Sequence, residues 1–224
     1  MTKVIAIDGP SGAGKGTISR KLAKKLGFFY LDSGALYRLL GLVAVRHRVD
    51  LSDNAVLSPL AENMDIRFEA LASGENKILL EGEDVTRELR SEQTAALASQ
   101  VAAHPEVRKA LLVRQRRFAR PPGLVADGRD MGTVVFPEAQ LKLYLTASVE
   151  ERARRRYKQL LEKGESVSLR ALEAQVRSRD ERDINRDASP LIAASDAIEI
   201  DTTDLSISEV LDTVLNIALH RELM

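Results

Sequence analysis

Gly9-Pro10-Ser11-Gly12-Ala13-Gly14-Lys15 has the G-x-x-x-x-G-K spacing of a phosphate-binding loop. The loop stands between an apolar Val4–Ile7 run, which reads as a buried strand, and an amphipathic helical stretch. Its glycines let backbone N–H groups turn inward around an anion, which then lies on a helix N-terminus. Lys15 adds a positive charge for the outer phosphates. Gly16 occupies the place where the general pattern has Ser or Thr, so the hydroxyl that can help to place Mg²⁺ is that of Thr17.

Further residues of chemical interest fall at the ends of apolar runs. Leu124-Val125-Ala126-Asp127 reads as a short strand ending in a carboxylate, and Asp127 is a candidate for holding Mg²⁺ through water, because a hard cation keeps several waters and takes few carboxylates. Arg129 and Asp130 follow between Gly128 and Gly132, a poor packing choice and a good reader of an anion and a base. In Leu31-Asp32-Ser33-Gly34-Ala35-Leu36-Tyr37-Arg38, Tyr37 and Arg38 lie on the first turns of a helix at the carboxyl edge of the sheet, where open α/β sheets bind ligands. Arg179, Arg182, Asp183 and Arg186 fall at i, i+3, i+4 and i+7 and share a face if helix persists.

The elements that must position these groups alternate along the chain. Strands are expected at Val4–Ile7, Phe28–Leu31, Leu124–Asp127, Leu141–Leu145 and Ala197–Thr202, separated by helices, which specifies a parallel sheet covered on both faces. Helices are expected at 15–26, with Ile18, Leu22, Ala23 and Leu26 inward, and at 35–48 after a stop at Asp32-Ser33-Gly34. Between them and the third core strand lies a different texture. A short helix over 53–63 precedes an alternating strand at 66–70, a turn at Ala72–Asn76 and a strand at 77–85, a small antiparallel sheet inserted among helices. Ser99 and Arg108 project from two helices broken at His104-Pro105. Residues 148–180 read as two polar helices joined by Lys163-Gly164-Glu165-Ser166, suited to a lid, the first opened by Ser148-Val149-Glu150-Glu151. A last helix starts at Ser206-Ile207-Ser208-Glu209. The basic runs Arg114/Arg116/Arg117/Arg120 and Arg152/Arg154/Arg155/Arg156 read mainly as solvated faces.

Bulk properties limit the functional classes. A chain of 224 residues with 44% apolar content can form one domain with an insertion. The absence of cysteine excludes disulfides and thiolate metal sites. The 33 basic residues balance 33 acidic ones, against a protein that coats nucleic acid by bulk charge. No apolar run approaches membrane-spanning length and only Met1, Thr2 and Lys3 precede the first strand, so a cytoplasmic protein without signal peptide or anchor is expected. His47, His104 and His220 lie far apart and read as surface or helix-end residues.

The G-K-G-T ending of the loop resembles that of nucleoside monophosphate kinases. Together GPSGAGKGT, LDSGALYR, LLEGEDVT, ASQVAA, ADGRDMGTVVFP and RDERDINR closely resemble bacterial cytidylate kinases over nearly the whole chain. The resemblance implies a P-loop NTPase core with a five-stranded parallel sheet (about 1–50, 91–147 and 187–224), an inserted NMP-binding β subdomain (about 62–90) and a helical lid (about 148–180). It implies transfer of the γ-phosphate of ATP to CMP or dCMP by a Mg²⁺-dependent monomer that binds neither nucleic acid nor membrane. Gly9–Thr17 would hold ATP, with Lys15 bridging the donor phosphates. Arg38 and Arg129 would clamp the CMP phosphate near Tyr37; Ser33, Arg108, Asp130 and Arg186 would surround the cytosine; Ser99, Arg179 and Asp183 would meet the sugar. Asp130 can accept from the exocyclic amine of cytosine, which uracil replaces by a carbonyl.

Other readings remain at this stage. A small P-loop kinase for UMP, AMP, dTMP or shikimate shares the donor loop. A nucleotide-binding switch would need an Asn-Lys-x-Asp, which Asn76-Lys77-Ile78-Leu79 does not supply. An RNA-binding protein would need stacking aromatics among its basic runs.

Overall fold

The computed structural model describes residues 2–70, 76–162 and 164–223. In chain order the elements are β1 (Lys3–Asp8), α1 (Lys15–Leu26), β2 (Phe29–Asp32), α2 (Ser33–Arg46), α3 (Asn54–Asn63), β3 (Ile66–Ala70), β4 (Asn76–Leu80), β5 (Glu83–Asp84), α4 (Glu92–Val101) and α5 (Pro105–Arg116). There follow β6 (Gly123–Asp127), β7 (Leu141–Thr146), α6 (Val149–Glu162), α7 (Leu169–Asn185), β8 (Ile198–Asp201) and α8 (Ile207–His220). They form two compact units, one from the chain up to Asp32 and from Arg116 onward, the other from Ser33–Gln115.

The first unit is built on a parallel five-stranded sheet in the order β2-β6-β1-β7-β8. Ile5 pairs with both Val125 and Leu141, and Leu143 with Ile198, so these residues share one face. That face packs on Ile18, Leu22 and Ala23 of α1 and Val210, Val214 and Ala218 of α8, the inward residues that helical periodicity selects. A complete capping box, Ser206 with Glu209, starts α8. Parallel strands all point one way, so Asp8, Asp32, Asp127 and Thr146 collect at one carboxyl edge. Helices α6 and α7 pack through Ala153, Leu160 and Leu172.

In the second unit α2 packs on α4 and α3, and β3-β4-β5 form an antiparallel sheet. Here the chain departs from sequence expectation in several places. The strand expected over 77–85 is split into β4 and β5, because Glu81 (φ 53°) and Gly82 (φ 84°) make a hairpin turn of the kind that needs positive φ at both central residues. The strand stops at Asp32 as expected, but no loop separates it from the helix: α2 starts at Ser33 rather than at 35, and the Ser33 hydroxyl makes a buried 2.9 Å bond with Gln115 Oε1. Of the expected turn at Ala72–Asn76, residues 72–75 lie outside the described residues and Asn76 already belongs to β4.

In the first unit, helix persists through α7 to Asn185, past the 148–180 segment, and Arg186 is the first residue beyond it. Lys163 of the expected Lys163–Ser166 joint lies outside the described residues. The Arg114–Arg120 run is not simply solvated. Arg114 donates to the Glu62 and Met64 carbonyls, Arg116 donates to the Val134 and Val135 carbonyls, and Arg120 lies 4.2 Å over the Phe29 ring. Guanidinium donors here close off loop carbonyls that have no strand partner. Among the described residues no helix is long and apolar enough to cross a membrane.

Candidate active site

The phosphate-binding loop is set by close approach. Gly9 has φ 139°, and a Cβ on it would stand 2.0 Å from the Leu145 carbonyl oxygen of β7, so no other residue fits. The loop's peptide planes are fixed by their oxygens: Pro10 O accepts from Lys15 Nζ at 2.8 Å, Ser11 O from Arg152 Nη1 at 3.1 Å, and Ala13 O from Thr202 Oγ1 at 3.3 Å. The N–H groups on the far sides of those planes are the ones an anion meets. Lys15 is 6% exposed. Burial, and then the charge of Arg129, lower its ammonium to about 7, although Asp127 and Asp8 pull the other way.

Asp127 ends β6 and accepts from Tyr30 Oη at 3.3 Å, while burial and then Asp127 itself push the Tyr30 phenol far up. Its Oδ2 lies 3.2 Å from where a Cβ on Gly16 would stand, beside the turn that carries Thr17. Among the described residues no three His, Asp or Glu side chains cluster as a metal cage. One buried carboxylate and one hydroxyl therefore fit a Mg²⁺ that takes its remaining ligands from water and phosphate.

Beyond Asp127 the chain makes a π-helical turn over Met131–Val135. Arg129 Nε donates to Asp183 Oδ2 at 2.8 Å and its Nη1 to Gly128 O at 3.2 Å. Burial raises the Asp183 carboxyl, but Arg129, Arg179 and Arg186 outweigh it and hold the group below the usual carboxylate range. Arg179 also acts on Lys15, so Lys15, Asp127, Arg129, Arg179 and Asp183 form one electrostatic cluster in the first unit. Asp130 is buried beside it and acts on Asp8. Arg186 follows α7 and donates to Ser189 O, whereas Arg182 is exposed and bonds back to Ser178 O, so the i, i+3, i+4, i+7 face is only partly used.

The remaining expected residues lie in the second unit. Ser33 and Tyr37 share a face of α2 one turn apart, and both are buried. Arg108 of α5 is buried over the Tyr37 ring at 5.4 Å and donates to Ala102 O. Arg38 and Ser99 are half-buried on α2 and α4.

Three features were not anticipated from the sequence. Arg152 is buried and bidentate to Asp180, at 2.9 and 2.5 Å, and also holds Ala147 O and Ser11 O, so it anchors α6 to α7 and to the loop. Arg155 donates to Thr202 Oγ1 and O. The third is Asp8, which follows the Val4–Ile7 run; its side chain accepts two backbone hydrogen bonds. No motif flags these contacts, since apart from Ala147 their partners lie 28 to 141 positions away.

The family model described as cytidylate kinase matches residues 5–220, which includes every site residue above. The chain belongs to the cytidylate kinase family. Similar members of this family are the cytidylate kinase of Pseudomonas savastanoi pv. phaseolicola, 59% identical over 95% of this chain and 93% of that one. The cytidylate kinase of Colwellia psychrerythraea is 55% identical over 97% of this chain and 96% of its own. Among solved structures, an uncharacterized protein from Eubacterium ventriosum is similar in fold alone, with TM-score 0.50 and 12% identity over 96% of this chain and 98% of that chain.

Proposed function

We propose that this protein moves the γ-phosphoryl group of ATP to CMP or dCMP, giving ADP and CDP or dCDP, as a cytoplasmic monomer of pyrimidine nucleotide metabolism. The observation that carries the reading is the half-buried Arg129 followed by the buried Asp130 at the carboxyl end of β6, the strand beside the one that leads into the P-loop. Arg129 offers a guanidinium for the acceptor phosphate and Asp130 an acceptor for the exocyclic amine of cytosine. A uracil carbonyl facing Asp130 would set two acceptors against each other in a buried site, which rejects UMP more strongly than shape does.

Gly9–Thr17 hold ATP, and Lys15 moves from the Pro10 carbonyl to the donor phosphates. Arg38 and Arg129 clamp the acceptor phosphate near Tyr37. Ser33, Arg108, Asp130 and Arg186 face the base, and Ser99, Arg179 and Asp183 the sugar. Ser33 must then exchange or share its bond to Gln115. Thr17 and Asp127 hold Mg²⁺, directly or through water. When bound, the ion neutralises charge on the β- and γ-phosphate oxygens. The rest of catalysis is in-line positioning and charge stabilisation, with no covalent intermediate and no dedicated general base. Residues about 148–180 serve as a lid that excludes water, about 62–90 as the inserted NMP-binding subdomain, and about 1–50, 91–147 and 187–224 as the core.

The test is coupled ADP release from ATP and Mg²⁺ with CMP, dCMP, UMP, AMP, dTMP and shikimate offered separately. Strong turnover with CMP and dCMP alone is expected. Equal turnover with UMP would remove Asp130 from the base pocket, and turnover with shikimate alone would overturn the reading.

A further inference from the structure

Asp8 closes β1 one residue before the P-loop, and the mechanism above leaves its carboxylate without a task. The residue is 4% exposed. Its two oxygens accept separate backbone hydrogen bonds, Met131 N–H to Oδ1 and Gly132 N–H to Oδ2, both at 2.8 Å. These are the first two N–H groups of the π-helical turn, which receives no side-chain cap from its own N-terminal residue, Asp130. Further along the turn, the N–H groups of Val134 and Val135 both return to the Asp130 carbonyl, at 2.9 and 3.0 Å. The backbone at Asp130 is therefore held from one side by its own turn and from the other by Asp8. Gly132 packs closely against both sides: a Cβ there would stand 3.1 Å from Lys142 Cδ, so that the lysine stem would have to give, and 3.4 Å from Asp8 Oδ2, an ordinary contact.

We infer that Asp8 is a positioning residue for the acceptor nucleotide: by binding the Met131 and Gly132 N–H groups it holds Arg129 and Asp130 in the orientation that reads phosphate and base. The inference rests on the acceptor role proposed for those two residues. A carboxylate suits the task because both oxygens accept, whereas an amide offers one oxygen and turns an NH₂ toward the second N–H. The charged and titratable groups acting on Asp8 or answering to it are Lys15, Arg129, Asp130 and Tyr144. Burial raises the Asp8 carboxyl to about 6 while the two N–H groups pull it down, so assays at pH 8 read the ionised form. Its side chain hydrogen-bonds the turn and not the P-loop, so its geometric effect falls on the acceptor side, while it reaches the donor side through its charge on Lys15.

Asp8→Asn keeps the shape but sets an NH₂ against a buried N–H, so the melting temperature is expected to fall modestly. One buried N–H loses its acceptor, which predicts a KM for CMP raised about 10-fold or more, with KM for ATP changed less than about 2-fold and a smaller CMP over UMP preference. Gly132→Ala disturbs the same turn from the Lys142 side and is expected to move the same quantities with Asp8 intact. An unchanged KM for CMP in both variants overturns the inference, as does a parallel fall of activity and melting temperature with the CMP/UMP ratio untouched. Asp130→Ala is measured alongside. If it shifts the CMP/UMP ratio and Asp8→Asn does not, the inference alone fails; if Asp130→Ala does not shift it, the acceptor reading fails and carries the inference with it.

Discussion

The P-loop and the Gly128–Val135 loop leave the same edge of the same sheet from neighbouring strands, yet they are built on opposite principles. The first is a backbone site. The anion ligands proposed for it are peptide groups, whose carbonyls accept from Lys15, Arg152 and Thr202, and Lys15 adds charge. The second is a side-chain site. Arg129 and Asp130 are held by Asp183 and by the turn that Asp8 caps, and recognition depends on where those side chains point. A backbone site recognises what all nucleoside triphosphates share, whereas a side-chain site can tell one base from another.

The largest separation of the two should come from Lys15→Ala, which removes the one charged donor of the backbone site. Loss of kcat/KM by about 10³-fold is expected, by analogy with removing a preorganised transition-state donor, with the melting temperature unchanged. Near-normal turnover would remove Lys15 from the reaction. Next is Arg152→Ala, which strips a buried pair with Asp180 and frees the Ser11 carbonyl. Breaking such a pair costs about 3–5 kcal/mol, readable by urea unfolding, and KM for ATP should rise more than KM for CMP. A variant of wild-type stability would show that the pair is dispensable.

A smaller effect concerns protons. The free protein holds Lys15 near 7, so at pH 8 most molecules carry it neutral; triphosphate beside it favours the ammonium, and ATP binding should take up protons. Calorimetry in buffers of different ionisation enthalpy reads this uptake. Lys15→Met should lose it, and equal uptake in both proteins would place the proton elsewhere. Smallest of all is Arg154→Ala. Its exposed pair with Glu151 lies two residues from the buried Arg152, and its loss should change stability by less than about 0.5 kcal/mol.

The contrast also explains what could be read from the sequence. The P-loop was legible because its shape is spelled by glycines at fixed spacing, and the five parallel strands because three are apolar runs closed by an aspartate while β7 and β8 alternate apolar and polar residues. Arg129 and Asp130 stood out because a charged pair between glycines makes little sense as packing. What escaped depends on distant partners: Asp8 looks like the end of a strand until residues 131 and 132 lie over it, and Arg152 looks like its neighbour Arg154 until Asp180 faces it. The split of the expected 77–85 strand was local and visible in Glu81-Gly82, but a pattern of apolar residues running through it masked the turn.

The most direct test of the side-chain site is the ratio of kcat/KM for CMP to that for UMP in the wild type and in Asp130→Asn. An amide can donate to the uracil carbonyl and still accept from cytosine, so the ratio is expected to fall about 10- to 100-fold while KM for ATP stays. An unchanged ratio would contradict the account, because base selection would then reside outside the Arg129-Asp130 loop.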